Sequence, residues 1–306
     1  MQQRKSSNAQ GIDVSHHNGN INWAKVAKDR IDFVFIKATQ NSIAPMFLEQ
    51  VKGAKSVGLL IGAYHYLDAK VTTAALAVAA ADLFCDAIEE AGGTKVFDLP
   101  PMLDYEEFKG ITAAQINVVA RAFLNRVEAR LNVTPGIYTG NSFAEKFEKD
   151  LGKYPLWVAR YATSAPWDVV AWKQWEFFQY SGDDKGGVRA NGTRKVNGIN
   201  GNVDLNEFNG SKAELMRKYG PKKEEPKVTE RDINQVSEWA AKDWAEAKAN
   251  GYFDGTRPGA PITREQTAIV INRLRTNFLK LIAGNTARIS ELERKLEVIE
   301  KGGELQ

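Results

Sequence analysis

The regular alternation of strand-like and helix-like segments over the first two thirds of the chain constrains its fold more than any other feature. Eight segments combine β-branched, aromatic or aliphatic residues with nearby glycine, proline or asparagine, as strands do. They are Ile12–Ser15, Phe33–Thr39, Leu59–Tyr66, Met102–Glu106, Gly136–Thr139, Leu156–Arg160, Glu176–Tyr180 and Val203–Glu207. Helical segments follow the first five, at Asn22–Arg30, Pro45–Ser56, Val71–Ala91, Ile111–Leu131 and Ser142–Asp150. This alternation favours parallel βα units, and eight strands favour a barrel.

The pattern changes after the sixth strand. Residues 160–204 contain no convincing helix and are rich in glycine. Within them, residues 188–196 are typical of a hairpin with a type I′ turn at Asn191-Gly192. We therefore predict an α/β fold, an irregular barrel of five βα units followed by three strands joined by loops and hairpins.

The remaining chain divides by composition. We predict a flexible N-terminus at 1–10, a barrel at 11–210, a linker at 211–231, a small all-α unit at 232–276 and an amphipathic helix at 277–306. The linker is indicated by residues 221–227, which combine proline and charge without apolar residues. The last helix repeats apolar residues in 3,4 spacing, which predicts a coiled coil that joins copies of the chain, unless the helix folds back onto its own unit.

Composition excludes several classes of protein. Lysine plus arginine number 41 against 38 acids, so no basic surface for nucleic acid is indicated. One cysteine and three histidines leave little for disulfides or zinc, and we expect neither a metal nor another cofactor. The most apolar stretch, residues 74–81, is too short to insert into a membrane. Residues 1–10 lack the apolar centre of a secretory signal, so we expect synthesis in the cytoplasm without a signal peptide.

Acidic residues at strand ends indicate the chemistry. Asp104 and Glu106 are two residues apart on one strand, so both side chains face the same way. Asp13 ends the first strand and Asp204 lies on the last, its neighbour in a closed barrel. Repulsion among four such carboxylates raises the pKa of at least one, the condition for a general acid near neutral pH. Glycoside cleavage uses this pairing of a protonated acid with a carboxylate. The alternative to a catalytic role is that each acid has a structural role, as a helix cap or as the partner of a lysine.

Aromatic residues near the strand ends support a sugar ligand. Sugar rings stack their C–H faces on aromatic rings, and tyrosine hydroxyls bind sugar oxygens. The candidates are Tyr64, Tyr66, Tyr138, Trp157, Tyr161, Trp172, Trp175 and Tyr180. Individually, most of them are better explained by packing in the core or at the rim.

These residues belong to segments that match a known family. The segments are GIDVSHH at 11–17, FIKAT at 35–39, GAYHY at 62–66, PMLDYE at 101–106, PGIY at 135–138, LWVARY at 156–161, QY at 179–180 and VDLN at 203–206. In this order they resemble the glycoside hydrolase family 25 lysozymes. The resemblance implies a (β/α)5(β)3 barrel that cleaves the β-1,4 bond between N-acetylmuramic acid and N-acetylglucosamine of peptidoglycan, with retention.

The resemblance also implies roles for individual residues. Glu106 takes the general-acid position and Asp104 that of the partner carboxylate, with Asp13 and Asp204 completing the set. The substrate-binding residues would be Tyr64, Tyr66, Tyr138, Trp157, Arg160 and Gln179. Gln40 departs from the pattern, because many members carry an acid there. Many members are phage endolysins, which implies release to the wall through a holin.

Residues 239–266 resemble an S-layer homology repeat in shortened form. Such repeats bind anionic secondary cell-wall polymers, so Arg264 and Trp239 are candidate wall-binding residues. A small helical spacer is the alternative. For the whole chain, two further hypotheses stay open, a wall-glycan-binding protein without turnover and a chitinase-like glycosidase, since the D-x-E strand occurs there too.

Overall fold

Eight strands close into a single barrel in sequence order. The computed structural model describes residues 1–162, 164–182, 195–221 and 233–302. The strands are β1 Gln10–Val14, β2 Phe33–Thr39, β3 Leu60–Tyr66, β4 Met102–Asp104, β5 Gly136–Gly140, β6 Leu156–Ala159, β7 Phe177–Ser181 and β8 Asp204–Phe208. Strands β1 to β7 pair in parallel, whereas β8 is antiparallel to both β7 and β1. The predicted α/β barrel is confirmed, and the reversed last strand is a feature that the sequence pattern did not indicate.

Four α-helices cover the barrel wall after the first four strands. They are α1 Trp23–Lys28, α2 Phe47–Ser56, α3 Ala74–Glu90 and α4 Ala113–Leu131. After β5 come two 3₁₀ helices, Phe143–Lys146 and Lys149–Lys153, so the fifth α-helix predicted at 142–150 is wrong. The side chain of Asn117 explains the break, because it donates to the carbonyl of Lys146 (2.8 Å) and accepts from the backbone of Glu148 (2.8 Å). The predicted hairpin at 188–196 lies mostly outside the described residues.

The interior of the barrel is filled by large apolar side chains in its lower part. Among them are Phe33, Phe35, Met102, Trp157, Phe177 and Phe208. Gly62 makes room for one of these rings, because a Cβ there would lie 2.5 Å from Phe35 and 3.0 Å from Leu99. With the lower barrel filled, polar side chains at the carboxyl ends of β1 to β7 are left to line the mouth.

Two predicted boundaries of the barrel are wrong. Residues 1–9 are not a free tail: the amide of Gln2 donates to the carbonyl of Trp175 (2.7 Å), and Arg4 pairs with Glu207 (2.9 Å). The first part of the predicted linker is a helix, α5 Lys212–Tyr219. Leu215 is fully buried and joins the interior cluster of the barrel, so α5 belongs to the same folded unit.

The described residues 233–302 belong to a second compact unit. It contains α6 Ala241–Ala249 and a 37-residue helix, α7 Arg264–Glu300. Thr263 caps α7 in a reciprocal capping box with Gln266, and no proline interrupts the helix afterwards. The predicted boundary at 276/277 therefore falls inside one continuous helix. Within the described ranges, no helix is both long and apolar enough to cross a bilayer.

Candidate active site

All four predicted acids converge at the mouth of the barrel. Asp13 lies near the end of β1 and is the direct register partner of Asp204, which begins the antiparallel β8. The common neighbour is Tyr64 of β3, whose pKa is raised well above its usual value by burial and then by the charges of all four acids. A closed barrel with a reversed last strand brings these carboxyl groups together, although they are far apart in the sequence.

Asp104 and Glu106 occupy different surroundings. Asp104 is the last residue of β4 and is 5% exposed, and its Oδ1 has no hydrogen-bond partner among the described residues. Burial, followed by repulsion from Glu106, raises its pKa, whereas Lys37 lowers it. Tyr105 points away into the core between barrel and helices, as the alternation of the strand predicts.

Glu106 stands beyond the strand, on the solvent side of Asp104. The residue as a whole is exposed. Its carboxyl group nevertheless lies close enough to Asp13 and Asp104 to interact electrostatically with both. Loss of solvation there, with repulsion from Glu107 and Asp13, raises the pKa of Glu106 to about 7 against an opposing effect of Lys37. Glu106 can therefore hold a proton near neutral pH, as a general acid must.

Asp13 is held by a buried network of hydrogen bonds. Its Oδ2 accepts from the amides of Gln179 (2.8 Å) and Asn206 (2.7 Å). Gln179 in turn accepts from the hydroxyls of Tyr138 and Tyr161, and Asn206 accepts from the indole N–H of Trp157. Every donor in these chains is directed toward Asp13, an arrangement that suits a carboxylate acceptor and fixes its position.

The six predicted substrate-binding residues therefore separate into two groups. Trp157 (1% exposed) and Gln179 (2% exposed) are buried inside the barrel, where they position Asp13. Direct contact of these two side chains with a sugar stays a prediction. Tyr138 uses its hydroxyl in the same network. Tyr64 and Tyr66 stay candidates at the mouth. Arg160 stays a candidate at the rim, where its guanidinium lies 4.5 Å above the ring of Trp167.

Sequence reasoning missed Asn206 and Lys37 as members of the site. Asn206 follows Asp204 by two residues on β8, and this spacing could have placed it on the same inward face. Lys37 projects from β2, contacts the ring of Tyr66 (4.6 Å) and donates to Gln40 (2.9 Å), the residue that departs from the family pattern. In the described part of the chain, no group of three or more His, Cys, Asp or Glu side chains is arranged to hold a metal ion.

The raised pKa of Glu106 predicts the pH dependence of activity. The acid form is required, so kcat/KM should be high below pH 7 and fall as the pH rises through about 7. Glu107→Gln removes a repelling charge and should move this fall to lower pH. Lys37→Gln removes an attracting charge and should move the fall of kcat/KM to higher pH. Rates on purified wall material over a pH series measure both shifts. Two shifts in the same direction would contradict the assignment of Glu106 as the general acid.

A parallel barrel wall with paired acids and aromatic side chains at the carboxyl ends of its strands defines a barrel glycosidase. The family model for glycosyl hydrolases family 25 matches residues 12–187. The chain therefore belongs to this family and is a glycoside hydrolase.

Relatives and solved structures agree with this placement. Lysozyme M1 of Streptomyces globisporus is 33% identical over 225 residues, covering 69% of this chain and 71% of the relative. The uncharacterized protein YegX of Escherichia coli K12 is 34% identical over 225 residues, covering 71% of this chain and 75% of the relative. The crystal structure of the bacterial lysozyme from Streptomyces coelicolor is 32% identical with a TM-score of 0.61, covering 71% of this chain and 99% of that one.

Proposed function

We propose that the barrel hydrolyses peptidoglycan at the β-1,4 bond between N-acetylmuramic acid and N-acetylglucosamine. The main support is the cluster of four acids around Tyr64, in which the pKa of Glu106 is raised to about 7. Glu106 protonates the leaving oxygen, while Asp104 faces the sugar that becomes cationic. Relatives named lysozyme and N,O-diacetylmuramidase support this substrate class.

The order of events follows from these positions. As the glycosidic bond lengthens, the proton of Glu106 passes to the departing sugar, and Glu106 becomes the base that activates water in the second half. Asp104 either attacks the anomeric carbon or directs the acetamido group of the substrate to attack. Both routes give retention of configuration. Asp13, fixed by Gln179 and Asn206, keeps the Glu106 proton in place by its negative charge.

Product analysis tests the proposal directly. Mass spectrometry of digested peptidoglycan should find new reducing ends at N-acetylmuramic acid. Reducing ends at N-acetylglucosamine, or faster cleavage of chitin than of peptidoglycan, would instead support the chitinase-like alternative. Binding to walls without new ends would support the glycan-binding alternative.

We also propose that the second unit binds the cell wall, as the sequence predicts. Trp239 is 83% exposed, and Arg264 is the first residue of α7, where the helix dipole favours an anion. The unit also has a cleft of about 660 Å³ whose lining includes Trp244, Arg257 and Arg273. An anionic secondary cell-wall polymer is the ligand that this chemistry suits. Release of the protein to the cell wall through a holin stays a prediction.

Wall binding can be separated from catalysis. A chain ending at Lys222 keeps α5 on the barrel, whereas one ending at Gly210 would remove the buried Leu215. The chain ending at Lys222 should cleave soluble glycan and bind intact walls more weakly than the full chain.

In the full chain, Arg264→Ala should weaken binding to intact walls about tenfold, the value of one charge-assisted contact. Lys280→Ala on the same helix is the control, and equal losses would contradict a specific role for Arg264.

A further inference from the structure

We propose that α7 binds the α7 of a second copy of this chain, side by side and in parallel. One face of the helix, the α7 seam, is apolar except at Arg275 and Asn285, and its apolar residues have no partner among the described residues. The apolar residues of the seam are Ile271, Phe278, Ile282, Ile289, Leu292, Leu296 and Ile299, whose side chains are 47–63% exposed. These residues occupy a and d positions of a heptad repeat over 29 residues, or about 44 Å at 1.5 Å per residue.

The second unit already packs against the opposite face of α7. Arg273 donates to the carbonyls of Gly251 (3.2 Å) and Tyr252 (3.1 Å), and Asn277 donates to that of Asn250 (2.9 Å). Arg273 and Asn277 are at f and c positions when the seam takes a and d. The residues that could have folded over the helix therefore occupy its other side, and the seam is left for another molecule.

Charges beside the seam select a second copy in parallel orientation. Arg288 and Lys295 occupy g positions, whereas Glu293 and Glu300 occupy e positions. In a parallel, in-register pair, each g residue faces the e residue five positions later on the partner, which gives two opposite-charge pairs on each side. In an antiparallel pair, g faces g and e faces e, so that basic meets basic and acidic meets acidic.

The N-terminal half of the helix continues the same pairing with apolar residues. Leu274 at g faces Leu279 at e of the partner, and both are about half exposed in the single chain, at 50% and 52%. Asn285 at a d position places a polar layer in the seam, and two such amides meet only when the helices are in register. Self-association would also place two second units side by side, which strengthens binding to any repetitive surface.

Light scattering on the full chain tests self-association. At tens of micromolar concentration, the mass should be at least twice 33.9 kDa. Leu292→Glu puts a charge into the seam and should weaken association on the order of a hundredfold. Ser290→Glu adds the same charge on the b position and should leave the mass unchanged. A monomer of 33.9 kDa, or equal effects of the two variants, overturns the proposal. Near-ultraviolet circular dichroism verifies that the barrel is folded in each variant.

A single thiol tests the orientation. The native Cys85 is buried, so Ile299→Cys introduces the reactive thiol of the chain. At a d position near the helix end, it should form a disulfide-linked dimer under mild oxidation only if the helices are parallel and in register. In an antiparallel pair, the two thiols would be tens of ångströms apart. Failure to cross-link in a sample that is dimeric by light scattering overturns the parallel arrangement.

Discussion

We expect Glu106→Gln to slow the release of reducing ends from peptidoglycan by about two to four orders of magnitude, the usual contribution of a general acid. Glutamine has nearly the same shape and exposure but cannot donate its proton to the leaving oxygen. The loss should appear in kcat with little change in KM, because the side chain acts on the transition state. Initial rates on purified walls, over a range of substrate concentrations, measure both constants.

The neighbouring Glu107 provides a matched control. Glu107→Gln makes the same chemical change one residue away and should keep most of the activity at a pH below the pKa of Glu106.

Loss of folding can also be distinguished from loss of chemistry. The pKa of Glu106 rises from 4.5 to about 7 on folding, so ionisation of this group weakens the folded state as the pH rises through that interval. At about pH 8, Glu106→Gln should therefore have an equal or higher Tm. Retention of more than about a tenth of the activity would contradict the assignment of the general acid.

The barrel was predictable because its strands have clear local patterns. Strands alternate between two faces, so the D-x-E pair at the end of β4 could be placed on one inward face before the structure was known. The reversal of β8 was not predictable in this way, because residue alternation is the same in parallel and antiparallel strands. The reversal nevertheless determines which residues meet at the mouth, because it places the beginning of β8, and thus Asp204, beside Asp13.

Helices whose ends depend on tertiary contacts were harder to predict. Residues 142–150 have a helical composition, but the Asn117 side chain fixes the backbone at Lys146 and Glu148 and prevents a continuous helix. The sequence pattern assigns the segment that forms α5 to the linker at 211–231. The segment contains the local signal of a helix start, the capping box of Ser211 and Glu214, and is anchored by the buried Leu215.

The hydrogen bonds beneath the acids could be recognised only in three dimensions. The spacing of Asp204 and Asn206 indicates a shared face of β8, but nothing in the sequence links Asn206 or Gln179 to Asp13, from which both are separated by more than half the chain. Trp157 illustrates the same limit, since an aromatic residue near a strand end can face either a sugar or the core. Its position between Phe35 and Asn206 assigns it to the core.

The second large effect is expected for Asp104→Asn, which should lower the rate of hydrolysis by about two to three orders of magnitude, the loss typical of removing one group that stabilises transition-state charge. The change keeps the shape of the side chain in its buried position, 5% exposed, but removes the carboxyl group that can carry negative charge toward the developing cation. Asp86→Asn, on the outer surface of α3, is the control for a neutralised acid outside the site.

The pH profile distinguishes this electrostatic role from a merely structural one. Repulsion from Glu106 contributes to the raised pKa of Asp104. Two acids that repel each other in this way release their protons in shared steps, so Asp104→Asn, which removes one of the two acids, should change the pH profile of the residual activity. A large loss of activity with an unchanged pH profile would mean that Asp104 supports the fold of the mouth. Activity above about a tenth of the native rate would remove Asp104 from the catalytic pair altogether.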